Sequence, residues 1–170
     1  MSYRIRDARP EDHPAILALN LEWEAMLSPL DAARLARLDA QAACHRVLCA
    51  GAEGQERVAA FLLAFREGAD YDSPNYRWFA ARYRRFLYID RVVVATAQQG
   101  RGLGRRLYED LFAFARAQRV PRVACEFYVV PPNEASRRFH AGFGFREVGT
   151  QWLPESRKQV SLQIAEPAAR

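Results

Sequence analysis

The residues of this chain best suited to chemistry are three alternate glycines set among arginines: Gly100, Gly102 and Gly104, with Arg101, Arg105 and Arg106 around them and Gln99 ahead. They lie between an apolar run, Phe86 to Val94, and a segment in which Leu103, Leu107, Leu111 and Phe114 recur at helical spacing. A strand, a glycine turn and a helix start together make an anion site. The first amides of a helix have no intrahelical acceptor, and the helix dipole adds about half a positive charge there. Glycines keep side chains out of the way of a phosphate and accept backbone angles that other residues resist. Arg105–Glu109 and Arg106–Asp110 are i,i+4 pairs that suit the wet face of the helix. The spacing excludes two commoner phosphate motifs. A P-loop requires Gly-Lys followed by Ser or Thr, and the dinucleotide fingerprint requires G-x-G-x-x-G, whereas the glycines here run G-x-G-x-G.

The elements that must position this turn can be read along the chain. Tyr3 to Ala8 alternates as a first strand with one buried face. A helix is expected from Pro10 to Ser28-Pro29, its early acids Glu11 and Asp12 complementing the dipole, and a second from Asp31 to about Ala43. His45–Ala50 and Arg57–Phe65 read as a hairpin around the Gly51–Gln55 turn. The stretch from Arg66 to Arg85 is a loop followed by Tyr76, Trp78, Phe79 and Tyr83, with a short helix from Arg77 to Tyr83; it reads either as an ordered flap beside a substrate or as a satellite core cluster. After the central helix come a strand from Arg122 to Val130, a short helix opened by Asn133, and strands at Arg146–Leu153 and Lys158–Ala165. Asn133, Ser136 and His140 fall on one face of that short helix. One domain is expected over residues 1–165, with residues 166–170 as a frayed tail.

Composition narrows the class. The chain has 170 residues, half of them apolar, enough for a substantial core. No run approaches the roughly 20 apolar residues of a membrane span, and the start MSYRIRDARPEDH has no apolar leader, so a cytoplasmic protein without membrane contact is expected. Cys44, Cys49 and Cys125 and the histidines His13, His45 and His140 show no ligand spacing, and no metal is expected. The net charge of +5 is carried almost wholly by arginine, Lys158 being the only lysine. Because the arginines are spread through every segment, a solvated surface is expected rather than a nucleic-acid face.

Gln99, Gly102 and Gly104 resemble the acyl-CoA signature Q/R-x-x-G-x-G/A of the GNAT superfamily of N-acetyltransferases. The order β-α-α-β-β-β-α-β-α-β-β resembles that fold across nearly the whole chain. A second signature, an Asn followed by a helix ending Phe-Tyr-x-x-x-Gly-Phe, is met by Asn133, Phe139, Gly144 and Phe145, with His140 standing in place of the tyrosine. Ser73 to Phe79 is similar to a bacterial branch of the superfamily. The resemblance implies an α/β fold with a mixed, mostly antiparallel sheet of six to seven strands flanked by about four helices.

It also implies acetyl-CoA as co-substrate, lying between two splayed strands. The pantetheine would lie on the backbone of Val92, Val93 and Val94, and the pyrophosphate on Gln99, Gly100, Arg101, Gly102, Leu103, Gly104 and Arg105. Asn133 and Ser136 would border the pantetheine, with helix capping as the plainer role for Asn133. A bulge in the Phe86–Val94 strand would part the strands. Asp90 sits where several members carry a catalytic glutamate; the alternatives are a salt bridge for Asp90 and Glu126 as the base. His140, as an imidazolium, would protonate the leaving thiolate. Direct transfer of an acetyl group to a primary amine of a small molecule or peptide is therefore expected. A non-catalytic acyl-CoA-binding or sensing module is the alternative, and nucleic-acid binding a third reading. Glu22, Glu24, Tyr76 and Trp78 are candidates for the acceptor side, and a homodimer is common for this architecture.

Overall fold

Alternation at the N-terminus produces an edge strand: β1, Tyr3–Asp7, pairs antiparallel with β2, Cys44–Ala50, placing Ile5 opposite Leu48. In the computed structural model, which describes residues 1–154 and 156–167, β2 continues through a hairpin into β3, Arg57–Arg66. Gly51 begins that turn at φ 129°, where an added Cβ would meet the Gln55 carbonyl oxygen at 3.0 Å. The remaining strands are β4, Leu87–Val94; β5, Val123–Val130; β6, Arg146–Trp152; and β7, Gln159–Ala165. They form one mostly antiparallel seven-stranded sheet in the order β1-β2-β3-β4-β5-β7-β6. The parallel pair β4–β5 is joined at Leu87↔Val123 and Tyr88↔Ala124. β3 is buried from Ala59 to Phe65, as its unbroken apolar run requires.

Among the described residues, five α-helices accompany the sheet: α1, His13–Glu22; α2, Ala32–Gln41; α3, Pro74–Ala80; α4, Leu103–Ala117; and α5, Glu134–Gly142. Side chains set several of their starts. Asp31 accepts from the Arg34 amide, Ser73 from the Tyr76 amide and Asn133 from the Ser136 amide. Two boundaries differ most from the sequence expectation. The first helix stops at Glu22 rather than near Ser28: Trp23 leaves the helical region at φ −118° and ψ 22°, and the Glu22 and Trp23 side chains bond to Thr96 and to the Val94 carbonyl at the end of β4. α3 begins at Pro74 rather than Arg77, since the Ser73 cap and a proline in the first turn start it there.

The chain folds as two compact units, residues 1–65 with 89–111, and residues 66–88 with those from 112 onward. In the first, Ile16, Leu19, Leu35, Val47, Cys49, Phe61 and Val93 make the core. The core of the second is aromatic: Tyr76 meets Phe86 and Tyr88 at ring distances of 5.6 Å, and Phe79 meets Tyr88 at 5.8 Å. The segment from Arg66 to Arg85 is thus a packed cluster rather than a flap. Irregular register falls in β2, in β5 at Tyr128/Val130 and in β6. Glu166 and Pro167 follow β7 without regular structure, and the rest of the expected tail, 168–170, lies outside the described residues. Among the described residues no helix is long and apolar enough to cross a membrane.

Candidate active site

In the first unit the glycine turn is held at both ends. At its start, the Val94 carbonyl accepts the Trp23 indole N–H at 3.1 Å and the Gln99 side-chain amide at 3.2 Å. Thr96, opening a single 3-10 turn over Thr96–Gln98, gives its amide and its hydroxyl to Glu22 Oε2 at 2.8 and 2.9 Å. Gln98 accepts the Tyr3 hydroxyl at 3.1 Å. At its far end, the Arg106 amide bonds the Gly102 carbonyl at 3.1 Å where α4 begins. Between these anchors Gly100 and Gly102 adopt φ of 76° and 73°, a region that favours glycine, and a Cβ on either would meet nothing within 4 Å. Arg101 and Arg105 are exposed beside them. Open backbone, helix-start amides and guanidinium groups are the donor set a diphosphate requires.

Two expectations for this stretch change. The Val94 carbonyl is already engaged by two donors and is not on offer to a ligand, and the Gln99 side chain is one of those donors. The Val93 side chain belongs to the core, while Val92 is half-buried. Glu22, expected on the acceptor side, binds the chain's own Thr96. Glu24 is exposed.

Asp90 takes the salt-bridge alternative. Its side chain is only 5% exposed and accepts from Arg91 Nε at 2.8 Å. Arg91 is itself buried, and its other nitrogens donate to Asn20 Oδ1 at 2.9 Å, Ser28 O at 3.2 Å and Ser28 Oγ at 2.9 Å. The pair ties β4 to α1 and to the segment after it. Sequence reading missed Arg91, Asn20 and Ser28, although an arginine between Ile89 and Val93 on one face of an apolar strand was the available signal.

In the second unit the Tyr88 hydroxyl donates to Glu126 Oε1 at 3.0 Å. Tyr128, two residues along β5 on the same face, has its phenol pushed up by burial and by the Glu126 charge. Tyr76, an expected acceptor contact, is buried instead. Its hydroxyl donates to Arg66 O at 2.7 Å and accepts from the Ala69 amide at 3.0 Å. Trp78 lies under the Arg82 guanidinium at 3.9 Å and against Gly149. Both are packing residues.

His140 is buried between Phe127, stacked at 5.5 Å, and the edges of Phe139 and Phe145. Burial lowers its pKa, against a smaller opposing contribution from the Ser136 backbone. The Nδ1 atom is 2.7 Å from the Ser136 carbonyl, which can only accept, so Nδ1 carries the proton. Nδ1–H is thus committed to the Ser136 carbonyl, and burial disfavours the charged form expected of an imidazolium donor. Ser136 is occupied with this ring and with Asn133, whose side chain caps α5. Cys125 is buried and its thiol is pushed well up by burial; the Cys44 thiol is pushed up to about 12 by the same cause. Neither suits an acyl-cysteine route. No group of three or more His, Cys, Asp or Glu among the described residues could hold a metal ion.

Comparison with known proteins places this arrangement. Residues 15–145 match the acetyltransferase (GNAT) family. A phosphinothricin N-acetyltransferase of Streptomyces coelicolor is 48% identical over 59 residues, covering 35% of this chain and 33% of that protein, so the match spans about a third of the relative's length. The ribosomal-protein-S18-alanine N-acetyltransferase of Escherichia coli superposes with a TM-score of 0.71 at 16% identity, over 99% of this chain and 96% of that one. The NatC complex bound to Gag peptide and CoA gives 0.75 at 15% identity, over 98% and 99%. At these identities the two structures speak for the fold alone.

Proposed function

Since the chain belongs to the acetyltransferase (GNAT) family, we propose that it transfers the acetyl group of acetyl-CoA directly to a primary amine of a small molecule or peptide. The observation that carries this reading is the turn itself: two left-handed glycines, open above their backbones, ahead of an arginine-flanked helix start. Residues 100–105 would hold the pyrophosphate through backbone amides, with Arg101 and Arg105 supplying charge. Asn133 would keep its place at the start of α5 as a cap. Acetyl-CoA supplies, when bound, a thioester carbon to which the amine nitrogen adds as the C–S bond breaks. Both acceptor classes occur among similar proteins, a phosphinothricin N-acetyltransferase and a ribosomal-protein-S18-alanine N-acetyltransferase.

A cationic amine must lose a proton before it attacks, and a carboxylate can take it. Of the two candidates, Glu126 is the better base. It sits beside phenols, one of which orients it through Tyr88, whereas Asp90 is bound into the buried Arg91 pair. The amine proton then passes to Glu126, and the leaving thiolate takes a proton from water, since His140 is buried and burial disfavours its charged form. Glu126→Gln is expected to lower kcat/KM by about 10² to 10⁴, the usual contribution of a positioned base, with CoA affinity unchanged. Measured free-CoA release against an amine panel checks this, and equal turnover in wild type and variant removes Glu126 from the role. The competing reading, a sensor that binds acyl-CoA without turnover, draws on that same buried His140. Calorimetric binding with no CoA release for any amine would select it.

A further inference from the structure

Three ties run from the end of α1 and the residue after it to the strand and turn that precede α4. Asn20 accepts from Arg91, Trp23 donates to the Val94 carbonyl, and Glu22 accepts from the Thr96 amide and hydroxyl. From this geometry we infer that Glu22 and Trp23 are positioning residues for the anion-binding turn, acting through Thr96 and Val94. The inference rests on the acyl-CoA reading above.

The physical need is specific. A turn with two glycines at positive φ has more backbone freedom to lose than any other, so a cradle of amides built on it binds weakly unless its ends are fixed beforehand. Its C-terminal end is fixed by α4. The N-terminal end, the 3-10 turn over Thr96–Gln98, has Glu22 as the acceptor for both polar groups of its first residue. Trp23 does a second thing. Together with Gln99 it covers the Val94 carbonyl with two donors, which removes a backbone dipole that would otherwise be available to oppose an anion. A carboxylate near a phosphate site costs some repulsion, so the role of Glu22 must lie in its acceptor oxygen rather than its charge.

That distinction makes the test. CoA binding is measured by calorimetry on the full chain for wild type, Glu22→Ala, Glu22→Gln and Trp23→Phe, with melting temperatures and with hydrogen exchange of the ligand-free turn. Loss of a hydrogen-bonded tie translates to a weakening of CoA binding of about five- to tenfold for Glu22→Ala and about threefold for Trp23→Phe. Exchange at residues 97–104 should rise in both. Glu22→Gln keeps the oxygen and drops the charge, so its affinity should stay within about twofold of wild type or tighten. In turnover, KM for acetyl-CoA should rise in Glu22→Ala while KM for the acceptor holds. If wild type binds CoA and Glu22→Ala binds it equally well, the positioning role is wrong and the acyl-CoA reading survives. A rise in acceptor KM alone would return Glu22 to the acceptor. If folded wild type takes up no CoA, the acyl-CoA reading itself fails and this inference goes with it.

Discussion

At the scale of single residues, Arg91 shows how a charge survives inside a strand. Its side chain and that of Asp90 are 2% and 5% exposed, and the guanidinium reaches Asp90, Asn20 and Ser28. A buried pair of this kind adds little net stability over an apolar substitute, but breaking it leaves one charge uncompensated. Arg91→Met should cost about 3 to 5 kcal/mol, and adding Asp90→Asn should recover a large part of that loss. Urea denaturation of the single and double variants reads the coupling, and strict additivity would show that the two side chains do not act as a pair. His140 gives a second expectation at this scale. With Nδ1 on the Ser136 carbonyl and the ring buried among aromatics, His140→Ala should cost about 2 to 5 kcal/mol, as large-to-small core changes do. The shape of the pH–rate profile should be unaltered in that variant. A lost titration limb would restore the proton-donor role.

At the scale of elements, the sequence was most legible where local rules act alone. Alternation marked β1, an unbroken apolar run marked β3, and helical spacing with a glycine start marked α4. It was least legible at element ends. α1 stops early where Glu22 and Trp23 meet Thr96 and the Val94 carbonyl at the end of β4, and no residue within the helix announces those partners. The aromatic segment around α3 could be read as flap or core, and the answer came from its neighbours: Trp78 lies on β6 at Gly149, where a built Cβ would stand 2.5 Å from Trp78 Cζ2. Gly149→Ala should therefore destabilise by about 1 to 3 kcal/mol, the range for an overpacked contact. Because the clash is with the indole, Trp78→Leu should make the same glycine change nearly neutral. A thermal-melt double-mutant cycle measures this, and an equal cost in both backgrounds would mean the indole is not the obstacle.

For the molecule as a whole, two histidines set its response to acid. Burial lowers the pKa of His45, whose Nδ1 lies 2.6 Å from Asp39 Oδ1 and whose Nε2 is buried without a hydrogen-bond partner. It also lowers that of His140. A depressed folded-state pKa means the native protein binds fewer protons than the unfolded chain. Stability is thus fully present above the unfolded value near 6.5 and is lost as pH falls below it toward the folded values, by up to about 1.4 kcal/mol per pH unit for each histidine. Urea midpoints at pH 7.5, 6.5 and 5.5 should fall in that order, well above the range where Asp12, held low by its bond to Arg6, begins to protonate. A flat series would contradict the burial of both rings. Local chemistry alone determined the order of strands and helices, the anion-suited turn and the family it marks, because periodicity, glycine placement and caps act over a few residues. Only the tertiary structure decided that Asp90 is charge-balanced, that Glu22 serves Thr96, and that burial disfavours the charged form of His140. Those outcomes depend on partners such as Arg91 and Asn20, 71 positions apart, or Glu22 and Thr96, 74 apart, and on burial, which no single stretch of sequence contains.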